Sequence, residues 1–199
     1  MNQDYALTVT VEPEECLSLE AVKNHLRVDD TADDALITGL IAAARQYVEE
    51  ICNLALMPQT LVMQKDEWPS GTILYMPRVP LAEVTEIAYI DADGVSHTMD
   101  LEDVIVDTIS KPGRLILQDD ADWPTSTLRS AAGIAITYEA GFADPDRIPK
   151  PLMQALLLLI GHLYENREAV VIGSGINLFE LPLAFKHLIA NYRYGGVIA

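Results

Sequence analysis

The hydrophobic repeat changes twice along this chain, and that change bounds what the chain can fold into. Over residues 36–51, Leu36, Ile37, Leu40, Ile41, Ala44, Tyr47, Val48 and Ile51 recur three and four apart. That spacing lays one broad apolar stripe along a helix. From residue 59 to about 139 the period shortens to that of strands. Seven β-prone runs (61–65, 72–76, 84–90, 95–99, 104–108, 115–117 and 134–138) alternate with turn residues such as Trp68-Pro69, Lys111-Pro112-Gly113 and Trp123-Pro124. After Gly141 the helical period returns, in a run from about Pro149 to Asn166 that is apolar on nearly all sides. Such a helix belongs at the centre of a core.

Helical segments on either side of a β block pack together only if that block projects as an insertion. The expected fold is therefore α+β: a helical bundle core of about four helices carrying an inserted small antiparallel β subdomain. Residues 1–57 and 142–199 would build the core and residues 58–141 the insertion, as an antiparallel sheet or partial barrel.

Local signals refine the helices. Ser18 is placed to cap a short helix with Leu19, Val22 and Leu26 on one face. Thr31 is a plausible cap for the next helix, with Asp33 and Asp34 in a first turn where the helix dipole favours carboxylates. Pro149 and Pro151 suit the first turn of the long helix. Residues 168–178 are Gly-rich and read as mobile, and a last short helix is expected from about Pro182 to Tyr192.

Charge narrows the function. Thirteen Lys and Arg face thirty Asp and Glu, a formal net charge of −17 over 199 residues. A surface this acidic repels phosphate, which argues against adhesive binding to nucleic acid or to anionic membrane. The first eleven residues lack the basic and apolar regions of a signal peptide, and the most apolar run, 152–163, is too short to span a bilayer. Cys16 and Cys52 form no CxxC pair and read as reduced, partly buried thiols.

The motifs of common enzymes are missing: there is no GxSxG, GxxxxGK[ST], GxGxxG or HExxH. His162 and Glu165 share a helix face, a spacing that suits one edge of a metal site, but a di-metal bundle needs the reverse order twice. The expectation is a structural pair, with no metal, no cofactor and no catalytic residue. Asp91-Ala-Asp93-Gly94 begins like a calcium loop, yet the sixth position is Ser96 where such a loop needs glycine. A tight turn between strands is the simpler reading. Asp29, Asp30, Asp33 and Asp34 form one acidic cluster, and Asp119, Asp120 and Asp122 a second. Phe179, Phe185, Tyr192 and Tyr194, with Val197, concentrate apolar surface near the C-terminus, as either a segment that docks on a partner or a terminal helix packed on its own core would; the two readings stand level for Phe185, and docking is favoured for Tyr194 and Val197.

Several stretches, in this order, resemble one family. Residues 18–30 (SLEAVKNHLRVDD) and 36–50 (LITGLIAAARQYVEE) are similar to the N-terminal helical pair of phage head–tail connector proteins. Residues 75–81 (YMPRVPL) and 87–94 (IAYIDADG) resemble the β insertion of the longer members, which also occur in gene transfer agents. Residues 138–142 (YEAGF), 148–151 (IPKP) and 163–167 (LYENR) resemble the strand end and long helix that follow.

The resemblance implies a non-enzymatic adaptor in the neck of a tailed phage or phage-like particle, made in the bacterial host cytoplasm. Its partners would be the portal protein, a tail-side stopper or tail terminator, and further copies of itself in a ring, typically twelve-fold. DNA would pass through the ring without specific binding. Phe179, Phe185, Tyr192, Tyr194 and Val197 become candidate portal-binding residues, and Asp29, Asp30, Asp33 and Asp34 candidate channel-facing carboxylates. If the C-terminal segment is an anchor, removing everything after Leu178 should leave a folded protein that cannot join the portal. The rival readings are a metal-dependent hydrolase built around His162 and Glu165, and another neck component such as a stopper or terminator.

Overall fold

A computed structural model describes residues 5–166 and 181–194. The Ser18 hydroxyl accepts from the Ala21 N–H at 3.1 Å and starts helix α1, Leu19–Leu26. Arg27 closes it in the left-handed region (φ 59°). Helix α2 runs Asp34–Cys52. Its N-cap is Asp33 rather than Thr31, and Asp33 makes no side-chain cap bond. The carboxylate is turned elsewhere, as described below. Nineteen residues make α2 about 28 Å long. The chain returns as α3, Lys150–Glu165, and α4, Leu183–Ile189.

Helix α3 touches α1, α2 and α4, which is the central place its all-round apolarity predicts. Ile37, Ile41, Ala44 and Val48 of α2 meet Leu152, Ala155, Leu156 and Leu159 of α3, with Phe185 and Ile189 of α4 closing the side. Each fully buried Leu or Ile contributes about 1.5–3 kcal/mol against leaving it in water. The stripe on α2 is wider than this core: Leu36 and Tyr47, at its margins, stay 37% and 39% exposed.

Among the described residues the β part holds eight antiparallel strands in two sheets. The chain supplies β1 (Ala6–Val11), β2 (Gln59–Lys65), β3 (Ile73–Tyr75), β4 (Leu81–Ile90), β5 (Ser96–Met99), β6 (Val104–Asp107), β7 (Arg114–Leu117) and β8 (Ile134–Ala140). One sheet has the order β1-β2-β8-β4-β5 and the other β3-β7-β6. Alternation decides the facing. Leu61 and Met63 of β2, and Ile134, Ile136 and Tyr138 of β8, turn inward to meet Leu74, Leu115 and Leu117 of the smaller sheet. The seven β-prone runs all become strands. The segment 91–94 is a turn as expected: Asp91 Oδ1 accepts from the Asp93 and Val95 N–H groups, and Gly94 takes the positive φ (83°).

Strand β1 corrects the reading of residues 1–57 as wholly helical. It pairs with β2 and so belongs to the β part. Leu7 and Val9 pack on the β core, while a bulge between Val9 and Val11 turns Val11 outward, 57% exposed. The insertion is thus joined by a strand from the start of the chain.

The two parts meet along a seam. Leu54 forms a parallel bridge with Val79; Ala55 N–H donates to Val79 O at 2.9 Å and Val79 N–H to Asn53 O at 3.1 Å. In consecutive positions Leu54, Leu56 and Met57 face the helical core and Ala55 the β core. Gly141 ends β8 at φ 128°, and a Cβ there would lie 2.2 Å from Met57 O, so only glycine lets the chain cross the seam.

Candidate assembly surfaces

The seam is fixed by buried charge. Arg45, Glu49 and Gln59 are each 4% exposed, the buried polar side chains among the described residues. Glu49 Oε1 accepts from Leu56 N–H at 2.8 Å and from Gln59 Nε2 at 2.9 Å, and its Oε2 accepts from Arg45 Nη1 at 2.9 Å. Arg45 Nε donates to both oxygens of Glu15, at 3.2 and 3.1 Å. One network therefore ties α2 to the first residue of β2 and to the connector between β1 and α1. Burial, the largest effect, penalises the ionised Glu49 and raises its pKa, against the opposing pull of the Leu56 N–H and Arg45. Burial also opposes the Arg45 charge, but Glu15 and Glu49 outweigh it and hold the guanidinium protonated. The network bonds the helical part to the β part across the seam.

At the far end of the helices lies the acidic cluster. Asp29 and Asp30 are exposed. Asp33 and Asp34 are half-buried and engaged. Tyr164 Oη, from the end of α3, donates to Asp33 Oδ2, and Lys23 Nζ of α1 bonds both Asp34 Oδ1 and the Asp30 carbonyl. Half of the cluster thus staples the ends of three helices together, and Asp29 and Asp30 carry the solvent-facing charge.

The last described residues, 190–194, lie at the opposite pole. Helix α4 runs back along α3, and Tyr194 N–H donates to Cys52 O at 2.9 Å, beside the seam. The length of α2 separates this point from the acidic tip. Phe185 is not an exposed anchor: its ring is fully buried, 6.2 Å from the Tyr47 ring centroid. A seven-residue helix has too little propensity to stand alone, and Phe185 and Ile189 are the side chains that hold it to the core. Removing everything after Leu178 would therefore strip core residues. Tyr192 and Tyr194 pack partly on the same core with the remainder of each ring exposed. Phe179 and Val197 lie outside the described residues, as does the Gly-rich stretch 168–178.

With this geometry established, the chain was compared with known proteins. Residues 17–79 match the family model of the phage gp6-like head-tail connector proteins. The resemblance read from the two N-terminal helices is shown by this match. The matched connector segment begins at Leu17, runs through α1, α2 and β3, and ends on Val79, the residue that closes the seam. Solved structures extend the likeness over the chain. The neck of an empty GTA particle computed with C6 symmetry contains a chain with TM-score 0.78 and 24% identity, covering 94% of this chain and 95% of that one. The virion of a native gene transfer agent (GTA) particle gives 0.77, 24%, and 94% of each chain. The neck of a native GTA particle computed with C12 symmetry gives 0.72, 23%, and again 94% of each. At that identity the shared property is the fold, α+β with the same order of parts. A search of the curated proteins finds no match.

The side chains considered for connector-unlike chemistry have local roles. His162 and Glu165 sit at the end of α3, where Asn166 Nδ2 donates to the His162 carbonyl at 2.8 Å. Among the described residues no group of three or more His, Cys, Asp or Glu is placed to hold a metal ion. Asp91 is occupied by its own turn and by His97 Nε2 at 2.7 Å, bonds that hold its carboxyl below the usual carboxylate range. Reading the sequence missed the Arg45–Glu49–Gln59 network. Its signal was present: two charges four apart, interleaved with the core positions Ile41, Ala44, Val48 and Cys52. A charge on that face must be paired.

Proposed function

We propose that this protein is a structural adaptor in the neck of a tailed phage or phage-like particle. Copies of it form a ring between the portal and the tail that continues the DNA channel. The observation that carries the reading is the joint one: a connector-family match over residues 17–79 within a fold shared, over 94% of the chain, with neck proteins of gene transfer agent particles. A twelve-fold ring is the natural count beside a C12 neck. The portal lies on one side and a stopper or tail terminator on the other.

Physical arguments agree with these roles. Every copy adds a formal charge of −17, so a ring of them repels the DNA backbone and keeps passing DNA mobile. Asp29 and Asp30, on the helical tip, with Asp33 and Asp34 behind them, face the channel or its rim in this proposal. The C-terminal segment leaves from the opposite pole, so Tyr192 and Tyr194, with Phe179 and Val197 in the undescribed stretches, remain the proposed portal contacts. Phe185 does not.

The test is imaging of the full-length protein mixed with portal. Rings seated on the portal are expected, with the acidic tips at the lumen. Removing residues 195–199, which takes away Val197 and leaves α4 and its core contacts intact, should weaken seating, and adding Tyr192→Ser and Tyr194→Ser should weaken it at least tenfold. Failure of the intact protein to join the portal, or turnover of a substrate by the pure protein, sinks the adaptor reading.

A further inference from the structure

The largest exposed hydrophobic exposure in the described chain belongs to Ile109, at 89%. It does not sit on a loose loop. Asp107 Oδ1 accepts from the Ile109 and Ser110 N–H groups at 3.0 and 3.1 Å. Its Oδ2 accepts from the Ser110 hydroxyl at 2.6 Å and from Arg114 Nε at 2.8 Å. Four bonds from one carboxylate hold the loop between β6 and β7 in shape. Ser110 and then Arg114 hold that carboxyl far below the usual carboxylate range, so the clamp stays ionised at neutral pH. Ile105, on the adjoining edge strand, is 51% exposed, and Lys111 is exposed beside the tip. The loop is thus a preorganised knob, apolar with one positive charge, on a chain of net −17.

The same small sheet carries a hole on its other edge. A groove of about 410 Å³ opens between β3 and β2, walled by Tyr5, Trp68, Ile73 and Tyr75, with Glu67 on its rim. Lys65 also lines it, but it is already engaged. The groove has room for a branched side chain and a carboxylate, Glu67, for a lysine.

The sheet reads β3-β7-β6, with the groove along the β3 edge and the knob on the loop that joins β6 to β7. The base of that loop is pinned to the end of β3, where Met76 N–H donates to Gly113 O at 2.8 Å, while its tip at Ile109 stands in solvent. Two different patches on one subunit are what a heterologous, ring-closing contact requires.

We infer that the Ile109–Lys111 loop of one copy docks in the Tyr5–Trp68–Tyr75 groove of the next, with Lys111 beside Glu67, and that this contact runs around the ring. The inference rests on the ring proposed above and names its interface. A second copy is the favoured occupant because the knob and the groove are complementary in sign and shape and every subunit carries both.

The experiment uses the full-length chain assembled with portal. In an Ile109→Cys, Ser70→Cys double variant, oxidation should give a ladder of disulfide-linked multimers, and either single variant should give none. Cys16 and Cys52 are buried and supply no background. Ile109→Asp should melt like the parent, because the residue is exposed, yet lower ring formation at least tenfold. Ile109→Val should restore it. Rings that form normally in Ile109→Asp, or rings without a ladder, overturn the contact and leave the ring standing. An intact protein that forms no ring on portal overturns both.

Discussion

Replacing Glu49 with Ala tests whether the seam is held as described. Glu49 is 4% exposed and accepts from three donors on three segments: Arg45 on α2, Leu56 in the seam and Gln59 on β2. The substitution leaves a guanidinium with 5% side-chain exposure short of one partner, with Glu15 still in place. Removing one member of a buried ion pair costs about 3–5 kcal/mol, because the remaining charge stays desolvated. The orphaned Leu56 N–H and Gln59 amide add to this, though not additively. For a chain of this size the expected loss lowers Tm by about 6–20 °C. Glu49→Gln keeps an acceptor for Leu56 and Gln59 and should cost about half as much. The pairing of Arg45→Met with Glu49→Leu removes both charges and should recover part of the loss, a coupling of about 0.5–3 kcal/mol. Urea unfolding of the parent, Arg45→Met, Glu49→Leu and their pair measures the cycle, with Glu49→Ala and Glu49→Gln alongside. If Glu49→Ala loses under about 1 kcal/mol, or the double variant is simply the sum of its parts, the network does not hold the seam.

Two further outcomes follow from burial. Phe185→Ala should cost about 3–5 kcal/mol in the free protein, since it empties a fully buried site beside Tyr47; an unchanged melt with lost portal binding would return Phe185 to the role of anchor. Burial pushes the Cys16 thiol up to about 12 and the Cys52 thiol up to about 11. Thiolate is the reactive form, so at pH 8 neither should react with a thiol reagent until urea unfolds the chain, and rapid labelling of the native protein would contradict their burial.

What the residues determined on their own was local. Stripe spacing, the Ser18 cap, the Asp91–Gly94 turn and the seven β-prone runs each depend on neighbours within a few positions, and each appears in the fold. Part of the connector resemblance, residues 18–30 and 36–50, lies in the stretch that the family model matches. Strand β1 was nearly legible, because Leu7 and Val9 alternate with Thr8 and Thr10, but a six-residue edge strand has no local signal for its partner. Only the tertiary structure supplied β2 and moved the start of the chain into the β part. Phe185 shows the same limit. An aromatic in a short terminal helix reads identically whether it covers its own core or another protein, and the return of α4 along α3 decides it. The pairing of Arg45 with Glu49, Gln59 and Glu15, and the separation of the acidic tip from the C-terminal pole, also arise from segments distant in sequence. Local periodicity is set by side chains a turn or a pleat apart, whereas partners and burial are settled only when the whole chain has closed on itself.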